Sequence, residues 1–466
     1  MNIGYISLDI LERFSKEDRR MLNSAKIMGR YTLTGTVKLV SPLIIRAGVY
    51  NDVLNDTIDD IVVTYHDGQP FIPGTSLAGV LRQTIQDILS DADNVLFGSI
   101  DEYKGMQSAL QINDIPLKNT NISVRDGICI DDVLGVTKDG AKYDFEVIGS
   151  GAYGLLRIDC VIRECHQNQV DIIEEALNIL ANLLKNGISI GARTVNGFGR
   201  IACEDISLEH YDFTKPESVQ AWLLRKSGAM ITIPEAPVVA KRDLIIDMDC
   251  YLEDTILIKS IFEAGWEDKS LTLFIPGTSV KGVLRHQCAR ILHALGRRVT
   301  MTDKLFGYSN DKTKESHKGR VLVNEVYFDT TAYTQEEQHR IRVDRFTGGV
   351  MNGALFADHP LRNTKGETLT FPLTIRIKDC SDSEAGLAML LVKDLMTGQV
   401  TMGANRTIGC GRIRGNSVTI RYNDESYVID GSGKITTGQV ETLESLVQSL
   451  HQCKEDTVSA KGGSHE

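Results

Sequence analysis

No stretch of this 466-residue chain approaches the roughly 18 consecutive apolar residues of a membrane-spanning helix, so no membrane partner is expected. The N-terminus, Met1 to Arg20, lacks a basic segment followed by an apolar one. A secretory signal is not visible, and a cytoplasmic location is expected. The nine cysteines are odd in number and include no CxxC, which argues against a disulfide framework and fits a reducing compartment. The closest group, Cys160, Cys165 and His166, has no second pair at metal-site spacing, so thiols are favoured over zinc. A GxxxxGK[ST] loop is missing, and no glycine fingerprint precedes a helix, so no organic cofactor is expected. An excess of basic charge is missing too. The net charge is −11, which argues against wholesale polyanion binding but leaves room for a local basic groove. What the chain does have is 42% hydrophobic residues, enough for sizeable cores, and a length that suggests about three domains, or two with insertions.

The chain repeats itself. Phe71-Ile-Pro-Gly-Thr-Ser-Leu-Ala-Gly-Val-Leu-Arg82 recurs as Phe274-Ile-Pro-Gly-Thr-Ser-Val-Lys-Gly-Val-Leu-Arg285, identical at ten of twelve positions. Leu96-Phe-Gly98 answers Leu305-Phe-Gly307, and Asp139-Gly-Ala-Lys-Tyr143 answers Asn352-Gly-Ala-Leu-Phe356. Gly191 to Arg200 answers Gly403 to Arg412. The offsets are 203, 209, 213 and 212, in chain order, which identifies a tandem duplication.

Each repeat has the same plan. An alternating strand opens it, Tyr31–Leu39 or Leu244–Leu252. The Ile-Pro-Gly-Thr-Ser segment follows, with Thr or Ser expected to cap a helix whose apolar residues recur at i, i+3 and i+4. A long glycine-bearing middle leads to a second helix, Ile172 to Lys185 or Glu384 to Met396, then a glycine loop and a last strand. That order is a ferredoxin-like, RRM-like βαββαβ unit of the α+β class. The expected boundaries are an extension at 1–30, a first unit at 31–227, a linker at 228–242, a second unit at 243–436, and a helix with a disordered tail at 437–466. A separate exposed helix is expected at Pro216 to Arg225.

Two motifs suit an anionic chain. The helix N-termini at Thr75, Ser76, Thr278 and Ser279 offer hydroxyls and N–H groups to a phosphate, with Arg82, Lys281 and Arg285 a turn or two on. The plainer reading is a capped helix whose Gly79 and Gly282 permit close packing on a sheet. The glycine loops carry Arg193, Asn196, Arg200, Arg406 and Arg412, which suit a sugar-phosphate backbone; a tight helix-to-strand turn is the alternative.

Together these motifs resemble the RAMP superfamily of CRISPR-associated proteins. The chain looks most like the backbone subunits of type III effector complexes, with two units fused as in type III-D. Val343-Asp-Arg-Phe-Thr-Gly-Gly-Val-Met-Asn-Gly-Ala-Leu-Phe356 is similar to a segment common in those subunits. The resemblance implies RRM-like palms stacked along a guide RNA (crRNA), with thumb-like hairpins at about 127–150 and 341–360 that wedge between bases. Arg345, Phe346 and Met351 are the candidates in the second thumb, with Leu355 and Phe356 beside them. It also implies target RNA, other backbone subunits, small subunits and a large signalling subunit as partners. In the family, a loop before the Ile-Pro-Gly helix carries an aspartate for metal-dependent target cleavage. Ile58-Asp59 matches that pattern, so Asp59 is the candidate catalytic and metal ligand, Asp60 the reserve, and magnesium or another divalent cation the expected cofactor. The second repeat has Asp268 in a shorter loop without the motif, which puts its cleavage in doubt. One carboxylate is not a strong metal site, so other ligands would come from RNA or a neighbour.

Three readings compete with a cleaving backbone subunit. One is the same scaffold without catalysis. Another is a guide-processing endoribonuclease working by acid–base chemistry, for which His66 and His286 stand near the helix motifs but at different positions in the two repeats. The third is a ferredoxin-like binder of small molecules, for which no cofactor fingerprint stands.

Overall fold

The computed structural model describes residues 25–47, 58–100, 105–130, 137–235, 242–258, 274–310, 314–328, 332–363 and 369–453. Asp268, most of the acidic run before Asp59, and the expected tail lie outside the described residues. By its contacts the chain divides into two compact units. The first takes in the described residues up to Val124, Asp144–Ala192, and those from Gly199 to Val238. The second takes in Arg125–Tyr143, Arg193–Phe198 and the described residues from Val239 on.

The first unit opens with β1 (Ile27–Leu39), in which Tyr31, Leu33, Val37 and Leu39 turn inward at the two-residue period of a strand. After it come β2 (Phe71–Ile72), α1 (Gly74–Ile88), α2 (Ser90–Phe97), β3 (Leu110–Ile112) and β4 (Ile115–Pro116). Next in chain order is the hairpin of β5 (Ile122–Ile130) and β6 (Thr137–Ile148), whose outer part, Arg125–Tyr143, belongs to the second unit; β7 (Tyr153–Arg163), α3 (Val170–Asn186) and β8 (Ile188–Ser189) follow in the first. The unit ends with β9 (Arg200–Asp212), α4 (Pro216–Leu223) and β10 (Ala229–Ile231). The sheet runs β8-β9-β1-β7-β3, with β10 against β9 inside the expected linker. Counting β1, β3, β7 and β9 as the four strands of βαββαβ, the order is 4-1-3-2, antiparallel throughout.

The second unit repeats this order with β11 (Leu244–Leu252), β12 (Phe274–Ile275), α5 (Gly277–Ala294), α6 (Thr300–Phe306), β13 (Val321–Val323) and β14 (Val326–Tyr327). Its hairpin is β15 (Gln338–Val343) and β16 (Val350–Asp358), followed by β17 (Thr370–Ile377), α7 (Asp382–Met396) and β18 (Ile413–Tyr422). Two further strands, β19 (Glu425–Ile429) and β20 (Ile435–Thr437), extend the sheet to β13-β17-β11-β18-β19-β20 before α8 (Val440–Gln452). The fold is therefore α+β, two tandem ferredoxin-like units with hairpin insertions.

Apolar stripes place the helices on these sheets. Leu77, Leu81 and Ile85 of α1, and Val280, Leu284, Cys288 and Leu292 of α5, are buried in their respective cores. Truncating one such leucine to alanine costs about 2–5 kcal/mol. α7 starts two residues earlier than expected because Ser381 and Glu384 form a reciprocal capping box. Among the described residues, no helix is long and apolar enough to cross a membrane.

Candidate nucleic-acid interface

In α1 and α5 the cap position is taken not by the expected Thr or Ser but by Pro73 and Pro276, in extended conformation, whose own side chains make no capping bond. The Pro73 carbonyl accepts the amides of Ser76 (3.0 Å) and Leu77 (3.2 Å), and Pro276 accepts those of Ser279 (2.9 Å) and Val280 (3.1 Å). Thr75, Ser76, Thr278 and Ser279 therefore sit inside the first turn, with Thr75 exposed and the others half-buried. In the first unit the Gly74 amide already donates to Asp114 Oδ1 at 2.7 Å, so one anion-binding donor is taken by the protein itself.

Arg82 and Arg285 perform an internal task. Arg82 binds both carboxylate oxygens of Asp93 and donates to the Gly98 carbonyl at 3.1 Å. Arg285 donates to Asp303 at 2.6 Å and to the Gly307 carbonyl at 2.7 Å. In each unit the arginine ties the Ile-Pro-Gly helix to the next helix and to the glycine of the Leu-Phe-Gly match. Their guanidinium groups are engaged by the fold, which weakens the expectation that they grip phosphate.

Lys281 differs. It is buried on α5, and burial, reinforced by Arg285 and Lys318, lowers its ammonium pKa to about 8. Gly79 and Gly282 answer the packing reading directly: among the described residues an added Cβ would meet nothing within 4 Å at either. Glycine inside a helix costs about 1 kcal/mol relative to alanine. Among the described residues, packing gives no reason for it at these two places.

The glycine loops are partly tight turns. At Gly199 and Gly411, both at positive φ, an added Cβ would stand 1.9 Å from the Ile190 carbonyl oxygen and 1.8 Å from that of Met402. Only glycine fits there. Arg193 lies over the Tyr143 ring, 4.6 Å from its centroid, and donates to the Tyr143 hydroxyl at 2.9 Å. Arg200 donates to the Asn186 carbonyl at 2.8 Å, at the C-terminal end of α3. Asn196 is half-buried, and its amide bonds Arg193 O. Arg412 and Arg414 share Glu253, each at 3.4 Å. Arg406 is exposed on its loop.

The second hairpin presents an apolar surface to solvent. Its tip is ordered by Asp344, whose carboxylate accepts the amides of Phe346 (2.9 Å) and Thr347 (2.8 Å), and these bonds hold it below its ordinary pKa. Phe346 at that tip is 100% exposed. Ile341, Val343, Val350, Met351, Leu355 and Phe356 are exposed along the strands, with Arg342 and Arg345 also in solvent. The first hairpin likewise exposes Ile122, Val124, Ile128 and Ile130.

Asp59 is exposed and joined to β6, the second strand of the first hairpin. Its amide donates to Asp144 O at 3.1 Å, and its Oδ2 accepts the Asp144 amide at 2.9 Å. Asp60 pairs with Arg46 at 3.0 Å, a neutralising contact that favours Asp59 over it as a ligand. Among the described residues, no group of three or more histidines, cysteines or acids is arranged to hold a metal. Asp59 offers one exposed carboxylate, so a divalent cation there would need further ligands from outside the described residues. His66 is exposed, and His286, half-buried, stands on α5 at a place where the first unit has Gln83.

Sequence reading missed Arg125, Asp114 and Glu325. The two acids were within reach, because Ile112-Asn-Asp-Ile-Pro116 and Val323-Asn-Glu-Val-Tyr327 form a further repeat match.

A search of curated proteins found no match. A family model described as the RAMP superfamily matches residues 36–202 and 265–414, about two thirds of the chain and one span in each repeat. With two ferredoxin-like units and a hairpin inserted in each, the chain belongs to the RAMP superfamily.

Proposed function

We propose that this chain is a guide-RNA-binding backbone subunit of a type III CRISPR interference complex, of the fused, type III-D-like kind. Membership of the superfamily supports a CRISPR-associated RNA-binding subunit. The observation that carries the reading further is the second hairpin, a ribbon with a fully exposed phenylalanine at its tip, flanking apolar residues and two exposed arginines. Exposing this much apolar surface is unfavourable in water unless a partner covers it. Flat base faces are such a partner, and wedging between them costs a few kcal/mol that backbone contacts offset. Arg406 and Arg345 are exposed cations placed to meet phosphates, Lys281 stands buried beside Gly282, and open space outside Gly79 and Gly282 lets a sugar-phosphate chain approach.

The first unit is proposed to cut target RNA at Asp59. A divalent cation there would neutralise charge developing on the scissile phosphate. Asp59 would orient that ion, while its bond to the Asp144 amide fixes the carboxylate beside the base of the hairpin. Other backbone subunits, small subunits and a large signalling subunit would complete the assembly in the cytoplasm.

Co-expression with a CRISPR array tests the reading. The purified chain should carry array-derived RNA, and exchanging the spacer while keeping the repeat-derived tag should leave the RNA content unchanged. Protein free of RNA, or binding that follows spacer sequence, would reject it. Cleavage of the precursor in EDTA by the isolated chain would favour the guide-processing alternative.

A further inference from the structure

Asp114 and Glu325 occupy equivalent places. The pairing of Phe71 with Pro116 and Ile72 with Ile115 is repeated by Phe274 with Tyr327 and Ile275 with Val326. Within the second unit this place is covered. Glu325 is buried and forms an ion pair with Arg125, whose guanidinium lies 4.6 Å from the Phe274 ring centroid and 5.4 Å from that of Phe198. The Tyr327 hydroxyl donates to the other Glu325 oxygen at 2.7 Å, and burial with the nearby carboxylate pushes its pKa up. The loop Arg193–Phe198 closes over the same strand, so that a Cβ on Gly197 would stand 2.7 Å from the Val323 carbonyl oxygen.

At the first unit's equivalent place the described residues put no arginine against the acid, and Asp114 accepts only the Gly74 amide. Asn113, Asp114 and Pro116 are exposed, and Phe71 is half-buried with Tyr65 stacked behind it at 4.0 Å. The covering turn also recurs, exposed, in the second repeat. The turn Arg406–Ile408 lies between left-handed Asn405 and Gly409, just as Thr194–Asn196 lies between left-handed Arg193 and Gly197. Yet Arg406, Thr407, Ile408 and Gly409 are all exposed, Ile408 at 58%.

We propose that the Phe71–Asp114 face of the first unit is a docking site for a separate RAMP-type subunit whose hairpin carries an arginine at the place of Arg125. The proposal rests on reading the chain as one member of a row of like subunits. Charge complementarity selects the occupant: an exposed carboxylate beside an aromatic ring is the setting that Glu325 and Phe274 offer to Arg125. A second copy of this chain does not supply that arginine. Gln338 stands at the place of Arg125, at the same offset that relates Tyr143 to Phe356. A neutral amide cannot make the ion pair, and its presence opposes the open head-to-tail growth that a self-complementary heterologous contact would drive.

The test uses full-length protein freed of RNA at high salt, so that failure of the guide-RNA reading does not affect it. Sedimentation velocity at tens of micromolar would compare wild type, Gln338→Arg, and Gln338→Arg with Asp114→Ala; circular dichroism would confirm that all three are folded. Gln338→Arg should acquire concentration-dependent association, and adding Asp114→Ala should weaken it by about thirtyfold or more. Association no different from wild type in Gln338→Arg, or undiminished by Asp114→Ala, would overturn the proposal. So would wild-type association that Asp114→Ala abolishes, since a second copy would then be the occupant.

Discussion

Asp114 and Glu325 sit at the same point of two copies of one fold and do different work. Asp114 is exposed and accepts the first amide of α1, whereas Glu325 is buried and holds Arg125. Duplication preserved the strand pairing and the Ile-Pro-Gly helix, while the acid was reassigned by what reaches it. The same contrast recurs at Ala78 against Lys281, and at the matched Asp59 loop against the shorter loop of the second repeat. The common residues build the unit, and the differing ones distinguish the two places.

The largest expected effect is on cleavage. Asp59→Ala should abolish one metal-dependent cut in target RNA within the assembled complex, while Asp268→Ala leaves the pattern intact. Loss of a cut in Asp268→Ala, with none lost in Asp59→Ala, would reverse the assignment. Stability comes next. Glu325→Ala removes a buried carboxylate and leaves the half-buried Arg125 guanidinium without its partner, and should cost about 3–5 kcal/mol in urea denaturation. Asp114→Ala removes only a helix-start acceptor and should cost about 0.5–2 kcal/mol. Equal losses would erase the distinction.

Arg285 and Arg406 separate internal from external arginines. Arg285→Ala should lower stability by about 1–3 kcal/mol and leave the salt dependence of RNA affinity unchanged. Arg406→Ala should leave stability alone and reduce the salt slope by about 0.7. The smallest effect belongs to Lys281. Its folded pKa, about 8, lies below the unfolded value of 10.5, so the unfolded chain binds more protons between them. Stability should therefore rise as pH climbs from about 8 to 10.5, and Lys281→Met should flatten that rise. RNA affinity should fall over the same range in wild type more than in Lys281→Met, as the ammonium is lost.

The repeats, the amphipathic helices and the alternation in Tyr31–Leu39 and Leu244–Leu252 were legible because each is a local pattern. The proline caps were not, since Thr75 and Ser76 are better capping residues by type and only the extended Pro73 conformation decides the boundary. Nor was the employment of Arg82 and Arg285, because Asp93 and Asp303 lie on the next helix and become neighbours only through the turn between. Arg125 was least legible of all: its carboxylate partner is 200 residues away. Phe346 lies at a hairpin tip and Arg406 on a glycine loop, places that short motifs write into the sequence, since turns depend on a few neighbouring residues.

Ultraviolet crosslinking of the co-purified RNA to the chain, read by mass spectrometry, tests the central claim most directly. The account predicts crosslinks at Phe346 and Met351 of the second hairpin and beside Arg406, lost from the hairpin in a Phe346→Ala, Met351→Ala variant that remains folded. Crosslinks confined to surfaces away from both hairpins and both glycine loops would contradict it.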